Sequence, residues 1–123
     1  MFNFYICQGS SRLGISIGKF FIKLPFTFYR KVGLRGWFYR LLNGLKANID
    51  ELEYKKCPDA FINFGIILNT PIIGNRFGFV NIYYKADKID NISLIPKILP
   101  SIIEYKTSSF GYLKNKLVCI DYA

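Results

Sequence analysis

The side chains in this chain best suited to chemistry are cations interleaved with aromatic rings. Between Met1 and Ile49 there is no carboxylate, while Arg12, Lys19, Lys23, Arg30, Lys31, Arg35, Arg40 and Lys46 are mixed with Phe26, Phe28, Tyr29, Trp37, Phe38 and Tyr39. Ammonium and guanidinium groups neutralise phosphates and aromatic faces stack on bases, so the mixture suits single-stranded nucleic acid or a nucleoprotein. Ordinary packing accounts for any one ring taken alone, because aromatics build cores before they bind ligands. The charge block is different. Its field has no local compensation, which favours an acidic partner: RNA, DNA or an anionic protein groove. Arg12, Lys19, Arg30, Lys31, Arg35, Trp37, Tyr39, Arg40 and Lys46 are the expected partner-binding residues, turned outward rather than consumed by internal packing.

Other chemistries are excluded by what is missing. There is no His, and Cys7, Cys57 and Cys119 lie far apart, so neither a zinc shell nor a Cys–His pair can be assembled. The three thiols are expected to be reduced and partly buried, and no metal or cofactor is expected. Residues 1–56 hold ten Lys/Arg against three acids and residues 57–123 seven against five, so the net charge of +9 is concentrated in the first half. With 123 residues, 51% of them hydrophobic, and no Gly/Ser/Pro-rich linker, the chain reads as a single ordered domain over 1–123. Its longest apolar run, Phe61 to Ile73, contains two Asn and a Pro and is too short and too polar to span a bilayer. MFNFYICQGSSR lacks the basic head and apolar stretch of a secretory leader, so a cytosolic location is expected. Usage skewed to Ile, Lys, Asn, Phe and Tyr fits an AT-rich coding sequence, as in many phages.

These residues must be positioned by a small set of elements. Phe2 to Cys7, Leu13 to Ile17 and Phe20 to Leu24 read as hairpin-linked strands, with turns at Gly9-Ser10-Ser11 and Gly18, and Pro25 ends the third. Apolar Trp37, Leu41, Leu45, Ile49 and Leu52 recur at helical spacing, predicting a helix from Leu34 to Lys56 with a break near Gly44, closed by Pro58. Asp50, Glu51 and Glu53 ahead of Lys55 and Lys56 support that helix through side-chain pairing. Phe61 to Asn69 and Phe77 to Lys85 read as strands and Asp87 to Asn91 as a loop. A helix capped by Ser93 is expected to run to Glu104, bent or broken at Pro100. Phe110 to Leu113 and Leu117 to Asp121 form a closing hairpin. The fold class is α+β: an antiparallel sheet with one main helix.

This order of elements resembles a protein-kinase-like fold, cut down to the amino-terminal lobe plus a remnant of the catalytic-loop hairpin. FFIKLP at 20–25 looks like the third-strand segment that carries the kinase lysine, which implies Lys23 in that role. ANIDELEYKK at 47–56 looks like the following helix, implying Glu51, then Glu53, as the lysine's partner. EYKTSS at 104–109 with FGYLKNKLVCIDYA is similar to the catalytic loop and the hairpin into the metal-binding Asp. Glu104 would stand for the catalytic Asp, Lys106 for the loop lysine, Ser109 for the metal-binding Asn and Asp121 for the Asp of D-F-G. GSSRLGISIG looks like a degenerate phosphate loop beginning at Gly9.

The departures from that pattern argue against phosphate transfer. Gly9, Gly14 and Gly18 do not keep the spacing that lets backbone N–H groups approach phosphates, Glu104 is a methylene too long, and Ser109 is a poor magnesium ligand. The sequence runs two residues past Asp121, so no activation segment or substrate-binding helices are expected. What the resemblance and the charge imply together is a non-catalytic interaction protein, not an enzyme. It would be encoded by a phage or mobile element and bind RNA or a nucleic-acid-handling complex. An anti-CRISPR-type inhibitor of host defence is the concrete form. The alternative is a pseudokinase that retains ATP binding, or a weak small kinase, using Gly9, Lys23 and Asp121. Peripheral membrane association through residues 26–46 ranks last, because the helix's apolar stripe is needed for the core.

Overall fold

The computed structural model describes residues 4–8, 12–26, 33–57, 60–101 and 103–122. Three short strands open the chain: β1 (Phe4–Gln8), β2 (Leu13–Ile17) and β3 (Phe20–Leu24). They pair antiparallel, with Ile15 opposite both Ile6 and Ile22. The β2–β3 turn places Gly18 at φ 57°, a left-handed conformation that glycine adopts without a Cβ clash. One helix follows, α1 (Gly33–Glu53), extended by a tight turn at Tyr54–Lys56. After it come β4 (Ile67–Leu68), β5 (Ile73–Gly74), β6 (Asn81–Tyr84), β7 (Asp87–Lys88), β8 (Phe110–Leu113) and β9 (Lys116–Cys119).

The strands form two sheets. The first has the order β1-β2-β3-β6-β5 and the second β4-β9-β8-β7. Both are antiparallel except where β4 runs parallel to β9. The chain is thus α+β, with one main helix and two sheets among the described residues. α1 lies across the side of the first sheet that carries Lys23, Asn81 and Tyr83. The β5–β6 hairpin closes against it at Gly78, where a Cβ would come within 2.4 Å of the Leu45 carbonyl oxygen and φ is +84°. The apolar core belongs to the second sheet and its loops: Ile66, Leu68, Ile89, Ile95, Ile103, Phe110, Cys119 and Tyr122. No described helix is long and apolar enough to cross a membrane.

Several expectations are corrected here. α1 runs unbroken through Gly44, which is buried against its neighbours. Tertiary packing outweighs the roughly 1 kcal/mol helix penalty of a glycine. The strand expected from Phe61 to Asn69 shrinks to β4; Ile62–Phe64 is a 3₁₀ turn, and β4 pairs with the distant β9 rather than with the next segment. Phe77 to Lys85 keeps strand geometry only over β6, because Gly78 turns the chain into α1. The helix expected from Ser93 to Glu104 is a single turn at Ile92–Leu94, capped by Asn91 rather than Ser93. Pro96 and Pro100 each remove a backbone donor, and the chain stays irregular between them. Asp87–Lys88, expected in a loop, is β7. Cys57 is exposed rather than partly buried, whereas Cys119 is fully buried and its thiol is pushed up to about 12 chiefly by that burial. The expected closing residue Pro58 lies outside the described residues, as does the side chain of Cys7.

Candidate functional site

β3 and α1 bring together the best-defined cluster of charged groups. Lys23 projects from β3 toward α1, and its Nζ donates to Glu51 Oε1 at 2.8 Å and to the Ile120 carbonyl oxygen at 2.7 Å. Glu51 is wholly buried and receives two further groups. Tyr83 Oη donates to its Oε1 at 2.6 Å, and Arg12 Nη2 forms an ion pair with its Oε2 at 2.7 Å. Arg12 also reaches Asp121 Oδ1 at 3.4 Å and Asn48 Oδ1 at 3.3 Å. Two cations and two carboxylates thus sit in one cluster, under a frame of amides. Asn48 Nδ2 donates to the Gly78 carbonyl at 2.9 Å, and Asn81 Nδ2 to the Asn48 carbonyl at 2.8 Å and to Tyr83 Oη at 3.0 Å.

The protonation states follow from these contacts. Burial disfavours the Glu51 carboxylate, but Lys23 and Arg12 more than offset it and hold Glu51 below its ordinary range. Burial also works against Lys23, and here it prevails: Glu51 is shared with Arg12, whose charge repels the ammonium, so the Lys23 pKa is lowered. Arg12 loses some stabilisation to burial, yet Glu51 raises its pKa overall. Tyr83 is driven far above its usual value by burial and by Glu51, so it remains a neutral donor.

Of the residues tied to the kinase resemblance, Lys23, Glu51 and Asp121 are brought together. Ser109 is near: its carbonyl accepts from the Ile120 N–H at 2.8 Å, although its buried hydroxyl has no hydrogen-bond partner among the described residues. Glu104 and Lys106 instead pair with each other on the surface at 3.0 Å. Gly9 lies outside the described residues. The ammonium of Lys23 has three donors. Two are used by Glu51 and Ile120, and the group sits 4.7 Å from the Tyr83 ring centroid, so little is left to hold a phosphate.

The partner-binding set divides. Arg12, expected to face outward, is turned inward, because Glu51 and Asp121 offer it carboxylates in a site shielded from water. Lys46 is exposed but paired with Asp50 one helical turn on, at 2.7 Å. Trp37 and Arg40 are half-buried and engaged with neighbours. Lys19, Arg35 and Tyr39 are exposed, and Arg30 and Lys31 lie outside the described residues. Beside Arg35 and Tyr39, α1 also exposes Leu34, Phe38 and Leu42, with Leu34 83% accessible.

Sequence reasoning missed Asn48, Asn81 and Tyr83. A usable signal existed: in β6 the period-two pattern puts Asn81 and Tyr83 on one face, opposite Lys23 and Phe21, and Asn48 precedes Glu51 by one helical turn. Among the described residues no group of His, Cys, Asp and Glu could hold a metal ion. Comparison with protein-family models, with curated proteins and with solved structures finds no match to this chain.

Proposed function

We propose that this chain is a non-catalytic, basic interaction protein on a reduced kinase-like frame, and that it binds and inhibits a nucleoprotein effector of host defence, as an anti-CRISPR-type inhibitor does. The observation that carries the reading is the contrast in how its charged groups are used. Lys23 and Glu51, placed to hold a nucleotide, are engaged with each other, with Arg12 and with the Ile120 carbonyl, while the front of α1 presents Leu34, Arg35, Phe38 and Tyr39 to solvent. Exposed Phe38 and Tyr39 beside the Arg35 guanidinium match the aromatic and arginine enrichment of protein-binding interfaces, so α1 is the side that meets the protein part of the effector.

The test is inhibition of target cleavage by a guide-loaded effector, comparing the parent chain with an Arg35→Glu/Phe38→Glu variant of unchanged unfolding midpoint. The variant is expected to inhibit at least tenfold less well. Equal inhibition by both proteins, or none by the parent, overturns the reading.

The second reading, residual ATP binding, is favoured by Lys23 on β3 facing Glu51 on the following helix, the pairing used by protein kinases. A thermal-shift titration with ATP and magnesium separates the two. A rise in midpoint at millimolar nucleotide supports it, since ligands that bind only the folded state stabilise it.

A further inference from the structure

The side of the first sheet turned away from α1 is apolar from edge to edge. Ile6, Ile15, Ile22, Ile82 and Ile73 stand opposite one another across all five strands. The two end residues are more than half exposed. One row along, toward the Gly18 turn, come Ile17, Phe20 and Tyr84. Phe20 and Tyr84 are 38% and 42% accessible, and their rings stack with centroids 6.0 Å apart at an interplanar angle of 23°. Each ring has an exposed lysine: Lys19 Nζ is 5.5 Å from the Phe20 centroid and Lys114 Nζ 5.8 Å from that of Tyr84. No carboxylate among the described residues forms an ion pair with either lysine.

We propose that Phe20 and Tyr84, with Lys19 and Lys114, form a stacking platform for single-stranded nucleic acid, and that the isoleucine row extends its apolar floor. The inference deepens the proposed function and rests on it: α1 would meet the effector's protein and this platform its RNA. The occupant is chosen by complementarity. A cation over an exposed ring is worth only about two- to fivefold in affinity, whereas a base stacked on the ring is worth about five- to 150-fold. Exchange is therefore favourable: the ammonium moves to a phosphate and frees the ring face. A second copy of a chain carrying +9 would bring like charges together on this face.

The Lys114 backbone adds a second observation. Lys114 and Asn115 form the two-residue β8–β9 turn with φ 52° and 64°. Glycine or asparagine suits both positions of such a turn. A lysine at the first is explained by what its ammonium reaches, the Tyr84 ring on the other sheet.

The experiment is fluorescence anisotropy with a labelled 12-nucleotide oligouridine and a duplex of equal length, over a series of salt concentrations. The parent chain is expected to prefer the single strand. F20L/Y84L, with unchanged circular dichroism, should weaken binding by about five- to 150-fold for each base stack lost. K19Q/K114Q should weaken it and flatten the log–log salt slope by about 1.4, two phosphates at 0.7 each. K114G should weaken it while raising the unfolding midpoint, because the turn is relieved as the contact is lost. Equal affinity for duplex, no binding of the oligomer, or binding unaltered in F20L/Y84L and K19Q/K114Q overturns the platform. So does recovery on phosphatidylserine vesicles without oligomer binding. The arms separate the two readings. Loss of oligomer binding through R35E alone removes the platform and leaves the effector reading standing. Platform-dependent oligomer binding by a chain that inhibits no effector does the reverse.

Discussion

The two faces of the first sheet reverse the usual arrangement, in which the covered side is apolar and the open side polar. Under α1 lie Ser16, Lys23, Asn81 and Tyr83, met by Asn48 and Glu51 from the helix. On the other side lie five isoleucines in register, the outer two exposed and the inner three half-buried, and a stacked Phe20–Tyr84 pair. The difference separates stability from specificity. A buried ion cluster is no more stabilising than well-packed hydrophobic residues of the same volume, because desolvation consumes the Coulombic gain. The covered face therefore fixes where the helix sits, while most of the net stability comes from the apolar core around the second sheet. An open face rich in isoleucine gains nothing from water, which makes it a surface available for binding.

The sharpest way to break the contrast is to remove the shared carboxylate. Glu51→Gln leaves Arg12 and Lys23 buried without their main counter-ion, and the expected loss is about 3–5 kcal/mol in urea unfolding, the range for breaking a buried pair on one side. The same residue sets an acid limit. Because the folded-state pKa of Glu51 lies below the ordinary value of 4.5, its contribution is complete above that value and is lost as pH falls through the lower folded one. Stability of the parent chain should thus drop below about pH 4. E51Q should lack that component, and an identical acid profile in both proteins would show that Glu51 is not the group responsible.

Of this cluster only Lys23, Glu51 and Asp121 were named as one site from the sequence, and the reasons for the misses are physical. β2, β3 and α1 are local elements whose period-two or helical patterns sit inside one segment, so the elements were legible, while the pairing of Lys23 with Glu51 was an expectation from the kinase resemblance. Arg12 was not placed with them. Its inward turn rests on Glu51 at 2.7 Å and, more weakly, on Asp121 at 3.4 Å, both distant in sequence, whereas the acid-free first half made every cation look solvent-facing. β4 was misjudged because its strand partner among the described residues is β9, a long-range parallel pairing that leaves no local signature. The open face was not legible for another reason: LGISI and FFIKL put Leu13, Ile15, Ile17, Phe20, Ile22 and Leu24 on one face, a pattern that ordinarily marks the side turned to the core, whereas α1 covers the face of Ser16 and Lys23.

A smaller effect is expected where α1 and the first sheet touch. Gly78→Ala places a Cβ 2.4 Å from the Leu45 carbonyl oxygen at φ +84°, so backbone must shift on one side or the other. A loss of about 1–3 kcal/mol is expected, the range for strained or overpacked positions. Gly65 supplies the control. Its φ is +74°, but an added Cβ would meet nothing within 4 Å, so Gly65→Ala carries the conformational penalty without the clash. If the two variants unfold at the same urea concentration, close packing of the β5–β6 hairpin on α1 is not what holds it there.

The smallest effect is expected on the open face, and it is the most informative about the comparison. Ile6 and Ile73 end the isoleucine row and are mostly exposed, so Ile6→Thr and Ile73→Thr keep the β-branched side chain suited to a strand and remove little buried surface. Each should change stability by no more than about 0.5 kcal/mol, the ordinary span for surface substitutions. The matching change in the second sheet, Leu68→Ala, removes a side chain that is 4% accessible and should cost about 2–5 kcal/mol. Should Ile6→Thr and Ile73→Thr instead cost 2 kcal/mol or more, the row would be part of a packed interior, and the platform beside it would have no open surface on which to receive a base.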